Sequence, residues 1–383
     1  MKVAILTLPF HTNYGGILQA YALQTYLQNR GHQVIVVNRR NKLKLTPKLL
    51  LLRIGSVIKS FIYTFFLKKK EYVVMNPLSS SYSSRWSGYK ILPFVKEYIN
   101  ISKEIYSSEA LAQYFNENKF DCYVVGSDQV WRPCYTPSVI DFFLKSVMSD
   151  LKAIKLAYAA SFGTDKWEFT DNDTIECSSL VKLFNSISVR EKSGIKLCKE
   201  YLDIDVIQLI DPTMLLMPDE YLTLINKTQI QRSLRDAFFY VLDANDEAER
   251  ISEILNKDGY SLNRVTLTMQ ATKANPRPYQ LSVEDWLSGL NSAEVIITDS
   301  FHACVFSILF KRPFVVLGNN KRGNARIKSL LEMFDMHDRL VESEEDFIKK
   351  YNYLLSNDDF SKVDNILSVQ RKRSEDFFNY YGL

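Results

Sequence analysis

Strand-like apolar runs alternate with helix-like runs along almost the whole of this chain, which confines it to a parallel α/β architecture. Val3–Leu8 reads as a first strand. Gly16–Arg30 reads as a helix in which Ile17, Ala20, Leu23, Gln24 and Leu27 share a face, with Gly31 as its stop. Val34–Asn38 is a second strand, and Asp121–Gly126, Leu156–Ser161, Ile187–Arg190 and Val206–Ile210 continue the series to Asp211-Pro212. After a connector over Met217–Arg235 a second series begins, with strands at Ala237–Leu242, Arg264–Met269, Glu294–Thr298 and Pro313–Leu317. Helical spacing lies between them at Ala248–Leu255 and Val283–Leu290.

At roughly 150 residues per domain, the 383 residues suit two such units. The expected fold is α/β: two doubly wound Rossmann-like domains, 1–216 and 217–360, facing a cleft, with a helix in 361–383 packing back on the body. Hydrophobic types at 46% and charged types at 24% exclude a disordered tail, a collagen-like repeat or a disulfide miniprotein. A net charge of +4 is too small for a dedicated nucleic-acid binder. The five cysteines are odd in number and form no CxxC pair, which argues against a disulfide framework or a zinc site and for a reducing, cytoplasmic compartment. The first residues read as a strand, not a signal peptide.

One stretch departs from the alternation. Between Arg39 and Lys70 there are ten Lys or Arg residues and no acid, around an apolar run from Leu49 to Leu67 that Arg53 and Lys59 interrupt. Those charges exclude a clean membrane span. Two readings stand: an interfacial helix on an anionic membrane surface, peripheral on the inner face of the cell membrane, or an insertion helix packed on the first domain. The cations do not sort onto one helical face, which favours the second. A polar, Ser-rich stretch follows at Leu78–Ser87.

Ligands of open parallel sheets bind beyond the carboxyl ends of the strands. There the chain has His11, Asn13, Tyr14, Gly15 and Gly16; Ser127, Asp128 and Gln129; Ser161; Arg190; and Asp299, Ser300 and His302. Tyr14-Gly15-Gly16 opens a helix and is either a turn that needs glycine or a ligand contact. Ser127 and Asp128 could cap a helix or touch a ligand. Arg190 can hold a carboxylate or phosphate through paired hydrogen bonds, or make an internal ion pair with Glu191 or Asp211. His302 opens an apolar helix at Ala303–Phe310, where the helix terminus favours an anion and a bound phosphate favours the protonated, proton-donating ring. Its alternative is a core histidine. No metal cluster is legible, and Trp131 and Tyr135 could either stack on a sugar or pack in the core.

Together these segments resemble the polysaccharide pyruvyl transferase family. The resemblance rests on Asn13-Tyr-Gly-Gly-Ile-Leu-Gln-Ala-Tyr-Ala-Leu-Gln24, Phe120-Asp-Cys-Tyr-Val-Val-Gly-Ser-Asp-Gln-Val-Trp131, Tyr158-Ala-Ala-Ser-Phe-Gly163, Ser188-Val-Arg-Glu-Lys-Ser193, Asp211-Pro-Thr213 and Thr298-Asp-Ser-Phe-His-Ala303. It implies a fold like that of GT-B glycosyltransferases and transfer of a pyruvyl ketal from phosphoenolpyruvate to a sugar, or to a lipid-linked oligosaccharide acceptor, with no cofactor beyond the donor. It implies a donor site at Arg190 and at a second-half Arg-Leu-His triplet. Here the triplet reads Ser300-Phe301-His302: the histidine matches and the arginine does not. Arg326 or Arg322 is then the expected replacement charge, His302 the proton donor or phosphate ligand, and Asp128 the base. Two rival readings are a GT-B enzyme using a nucleotide sugar, which fold analogy does not exclude, and a non-catalytic glycan-binding relative.

Overall fold

Strands such as Val3–Leu6 and Cys122–Val125 carry no polar face because both of their faces are covered. The computed structural model describes residues 1–10, 13–41, 47–66, 90–225, 235–243, 246–265, 281–318, 324–356 and 358–383. Its first sheet is built from β1 (Lys2–Leu6), β2 (Gln33–Val37), β3 (Cys122–Val125), β4 (Ile154–Ala160), β5 (Ser186–Val189) and β6 (Ile207–Gln208). All pairs are parallel, in the order β2-β1-β3-β4-β5-β6. The second sheet, also parallel, uses β7 (Asp236–Tyr240), β8 (Ser261–Arg264), β9 (Val295–Thr298), β10 (Phe314–Leu317) and β11 (Leu340–Val341), in the order β11-β10-β9-β7-β8. Strand order reverses beside β1 in one sheet and beside β7 in the other, and such switch points open crevices for ligands.

The sequence reading and the structure part at the sheet edges. The eighth strand is Ser261–Arg264, not Arg264–Met269, whose last four residues lie outside those described. Among the described residues it pairs with β7 alone and is largely exposed, so it lacks the apolar run that marks an inner strand. The two-residue β11 at the opposite edge is too short to show a period. Helices at Asp171–Val181 and Glu344–Leu354 also escaped the periodicity reading, although their starts are signalled: the Thr170 and Ser343 side chains accept from the amides of Asp173 and Asp346.

The largest apolar core runs through both domains. Tyr14, at the start of the helix Tyr14–Asn29, stacks on Trp286 with ring centres 5.0 Å apart, and Tyr240 meets both rings edge-on. Separate clusters fill the outer face of each sheet. Cys122, Cys177, Cys198 and Cys304 lie within these cores; burial pushes their thiols up, so they act as small apolar packing groups. The C-terminal helix Val363–Asn379 crosses back to the first domain. Ser374 meets the Tyr158 hydroxyl at 3.0 Å, and Arg371 donates to the carbonyls of Met214 and Leu216.

The basic insertion contains a helix, Pro47–Phe61, continued by a wider π-helical turn over Ile62–Phe66. Two of the ten cations belong to the domain itself: Arg39 pairs with Asp141 at 2.7 Å and Arg40 with Glu104 at 3.1 Å. The Ser-rich stretch lies outside the described residues. Among the described residues no helix is long and apolar enough to cross a membrane.

Phe378 is fully buried against Tyr158 and Tyr26. Phe378→Ala is expected to cost about 3–5 kcal/mol in urea unfolding; a loss below about 1 kcal/mol would show that the terminal helix is not part of the cooperative core.

Candidate active site

The site is organised by one carboxylate. After β6 the chain turns at Asp211-Pro212-Thr213, where proline fixes the backbone and Asp211 caps a short 3-10 turn. Asp211 Oδ1 accepts from the Thr213 amide at 3.0 Å and from its hydroxyl at 2.7 Å. That leaves Oδ2 for three partners from other elements: Arg190 Nη1 at 2.7 Å, Ser127 Oγ at 3.1 Å and His302 Nε2 at 3.5 Å. Burial works against the Asp211 charge, but His302 and Arg190 outweigh it and hold the carboxyl well below the usual carboxylate range.

Arg190 follows β5 and is buried. Burial opposes its charge too, and Asp211, Asp128 and Glu191 more than offset that, so its pKa is raised. Its second terminal nitrogen lies 3.4 Å from Asp128 Oδ1, and its guanidinium carbon sits 4.3 Å from the centre of the Phe301 ring. The internal ion pair is therefore present, with Asp211 and Asp128 rather than Glu191 as partners within salt-bridge distance. Arg190 Nε stays buried with no hydrogen-bond partner.

His302 arrives from the other domain. The helix Phe301–Leu309 begins two residues earlier than the sequence suggested, because Ser300 caps it by accepting from the Ala303 amide. His302 thus lies in the first turn and is buried, with Nε2 making no hydrogen bond at its 3.5 Å ion-pair distance. Its imidazole rests directly on the Gly15 backbone; a β-carbon built on Gly15 would overlap the ring. That close approach explains the first glycine of the Gly-Gly pair.

Beside this junction lies a cavity of about 210 Å³ walled by Phe10, Asn13, Gly16, Asp128, Gln129 and Tyr135. Asp128 stands at φ 71°, a left-handed conformation that aspartate tolerates better than most residues. Its carbonyl accepts from the amides of Val130 and Ser161, which ties this turn to the end of β4. A β-carbon on Gly16 would come within 3.3 Å of Asp128 Oδ2, so the second glycine leaves that oxygen room. Tyr135 is 42% exposed, with Arg132 over its ring.

The other sequence candidates take structural posts. Asn13 caps the first helix by accepting from the Gly15 amide. Tyr14 is turned into the interdomain core, its hydroxyl donating to the Leu281 carbonyl at 2.8 Å. The Ser161 hydroxyl donates to Glu191, which also accepts the amides of Phe162 and Gly163. Gln129 accepts from Arg132 and packs on Gly163, whose φ of 75° and crowded α-carbon both require glycine. Asp299 accepts the amides of Leu242 and Asp243, tying β9 to the end of β7. Trp131 is wholly buried against Phe143, a core residue and not a sugar platform. Arg326 is half-buried with its guanidinium carbon 5.9 Å from the Phe301 ring centre; among the described residues it makes no hydrogen bond or ion pair, and its Nε is buried. His11 and Arg322 lie outside the described residues. Sequence reasoning named Asp211 and Glu191 only as possible ion-pair partners of Arg190, and Phe301 only as the middle of the triplet, and gave none of the three a part of its own in the site; an aspartate followed by proline at the end of the strand before the domain connector was the available signal for the first.

A family model described as polysaccharide pyruvyl transferase matches residues 13–321 of the chain. No curated protein matches it. Among solved structures, UDP-GlcNAc 2-epimerase from Neisseria meningitidis bound to UDP-GlcNAc superposes with a TM-score of 0.55 at 14% identity, covering 99% of this chain and 100% of that one. The S. aureus MnaA–UDP co-structure gives 0.54 at 12% identity, covering 99% and 96%. The glycotransferase of kitacinnamycin gives 0.53 at 11% identity, covering 99% and 98%. At such identities the likeness shows the fold alone, that of the GT-B glycosyltransferases and epimerases.

Asp211→Asn keeps the shape of the junction and removes the nearer of the two carboxylates that balance the buried Arg190, together with the partner of His302, so it should cost about 3 kcal/mol in denaturant unfolding. The carboxyl's folded pKa lies below its ordinary 3.8, so its stabilisation is full above that value and shrinks as pH falls below it. The variant should therefore show a flatter loss of stability in acid than the parent; parallel acid profiles would remove Asp211 from this role.

Proposed function

The chain belongs to the polysaccharide pyruvyl transferase family, and we propose that it transfers a pyruvyl group from phosphoenolpyruvate to two hydroxyls of one sugar, in a surface polysaccharide or its lipid-linked precursor, as a cyclic ketal. The observation that carries this reading is the meeting of Arg190 and His302, from different domains, on one oxygen of Asp211 beside a cavity that Asp128 walls.

The donor brings a carboxylate and a phosphate. Arg190 and Arg326 both lie over Phe301, and each keeps a buried Nε without an acceptor. Burial, and then the neighbouring Arg190 charge, push Arg326 down to about 10. An anion set between the two guanidinium groups would satisfy the free donors and relieve that repulsion. Arg326 thereby stands in for the arginine that Ser300 replaces.

In the reaction His302 gives a proton to the methylene carbon of the donor, and the central carbon becomes cation-like. A sugar hydroxyl adds to that carbon as Asp128 takes its proton. The second hydroxyl then displaces phosphate, whose oxygen carries away the last proton. Asp211 acts as a positioning residue, since its Oδ2 fixes the imidazole and the guanidinium together. Tyr135, exposed at the cavity wall, is the ring available to an acceptor sugar.

Phosphoenolpyruvate at 100 times its dissociation constant should stabilise the protein by about 2.7 kcal/mol. A shift with a nucleotide sugar and none with phosphoenolpyruvate would make the protein a glycosyltransferase, and saccharide binding without turnover of either donor a glycan-binding relative. His302→Gln should lower phosphate release from phosphoenolpyruvate by about 10²–10⁴-fold at a temperature where the variant is still fully folded; full activity would remove the histidine from the chemistry. Arg326→Ala should raise KM for the donor with the fold intact, and an unchanged KM would exclude its stand-in role.

A further inference from the structure

The insertion helix turns its apolar side outward. Leu51, Ile54, Ile58, Phe61, Ile62, Phe65 and Phe66 are all exposed, Leu51 by 70% and Phe66 by 75%. At about 3.6 residues per turn their spacing of three and four gathers them on less than half of the helix circumference. Residues that form one apolar face and stay in water are the reverse of an insertion helix packed on its domain. Such a contiguous exposed apolar surface marks an interaction site.

We infer that residues 47–66 lie on an anionic lipid surface, the apolar face set toward the acyl chains. Charge selects this occupant. With Arg39 and Arg40 committed to Asp141 and Glu104, residues 41–70 still carry eight Lys or Arg and no acid. A second copy of the chain docked through this segment would add like charge to like, with no acid in residues 41–70 to neutralise it. A buried crossing is excluded by length and by charge, because the segment spans twenty residues with cations at Lys48, Arg53 and Lys59. An apolar face with surrounding cations and no acids matches a helix lying in the plane of an anionic interface. The inference rests on this surface and not on the donor chemistry.

The test is flotation of the full chain with vesicles of phosphatidylcholine containing one third phosphatidylglycerol, against phosphatidylcholine alone. Each cation near the lipid surface strengthens binding about fivefold at low salt, so recovery with the anionic vesicles should exceed that with neutral ones by at least about tenfold and fall as salt rises. The double variant Ile58→Asp, Phe65→Asp should stay in the unbound fraction, with its unfolding midpoint and its turnover of a soluble acceptor unchanged. Equal recovery with neutral vesicles overturns the inference, as does absence from both. Dimerisation in light scattering that the double variant abolishes, without flotation, would assign the face to a second copy instead.

Discussion

The Asp211 carboxylate is the fixed point on which the site and the contact between domains both depend. One of its oxygens is consumed in the local turn, which leaves the other at a defined position for Ser127, Arg190 and His302. A buried carboxylate is tolerated only when its lone pairs are filled and its charge is matched. The partners that fill it come from β3, β5 and the start of the Phe301–Leu309 helix, so satisfying the charge also brings the second domain onto the first. Gly15 completes that closure by offering bare backbone to the imidazole. The contacts that join the two halves are thus also the contacts that gather Arg190 and His302 at the site.

The same arrangement limits what the site has left for a ligand. Both terminal nitrogens of Arg190 face carboxylates, which leaves its Nε as the buried donor without a hydrogen-bond partner. The guanidinium carbons of Arg190 and Arg326 lie 4.3 and 5.9 Å from the centre of the Phe301 ring, where cation–π attraction offsets part of their mutual repulsion. Ser300, where the related motif has arginine, is free to cap the helix that carries His302. Asp128 faces both ways: one oxygen balances Arg190 and the other opens to the cavity through the space left by Gly16.

The insertion obeys a different logic. Elsewhere the long helices that flank the sheets, such as Tyr14–Asn29 and Phe301–Leu309, bury their apolar residues in the cores. Between Pro47 and Phe66 seven large apolar side chains are exposed, from Leu51 to Phe66.

The two-sheet architecture and the position of the strand-end residues were legible in the sequence, because hydrophobic periodicity and glycine stops are local signals that survive without knowledge of neighbours. Edge strands were not: among the described residues β8 and β11 are held by one partner each, and nothing in so short a span reports that pairing. The candidate residues were legible by type and place but not by direction. Tyr14 and Asn13 are adjacent, yet one enters the interdomain core and the other caps a helix at the cavity wall. The sequence by itself determined which chemical groups stand at the strand ends. Only the tertiary structure decided that Ser127, 84 residues from Asp211, shares a carboxylate with it, and that Arg190 spends its terminal nitrogens internally. Partner choice of that kind follows from the distances between strand ends after the sheets have formed, and from the cost of leaving any buried charge unmatched.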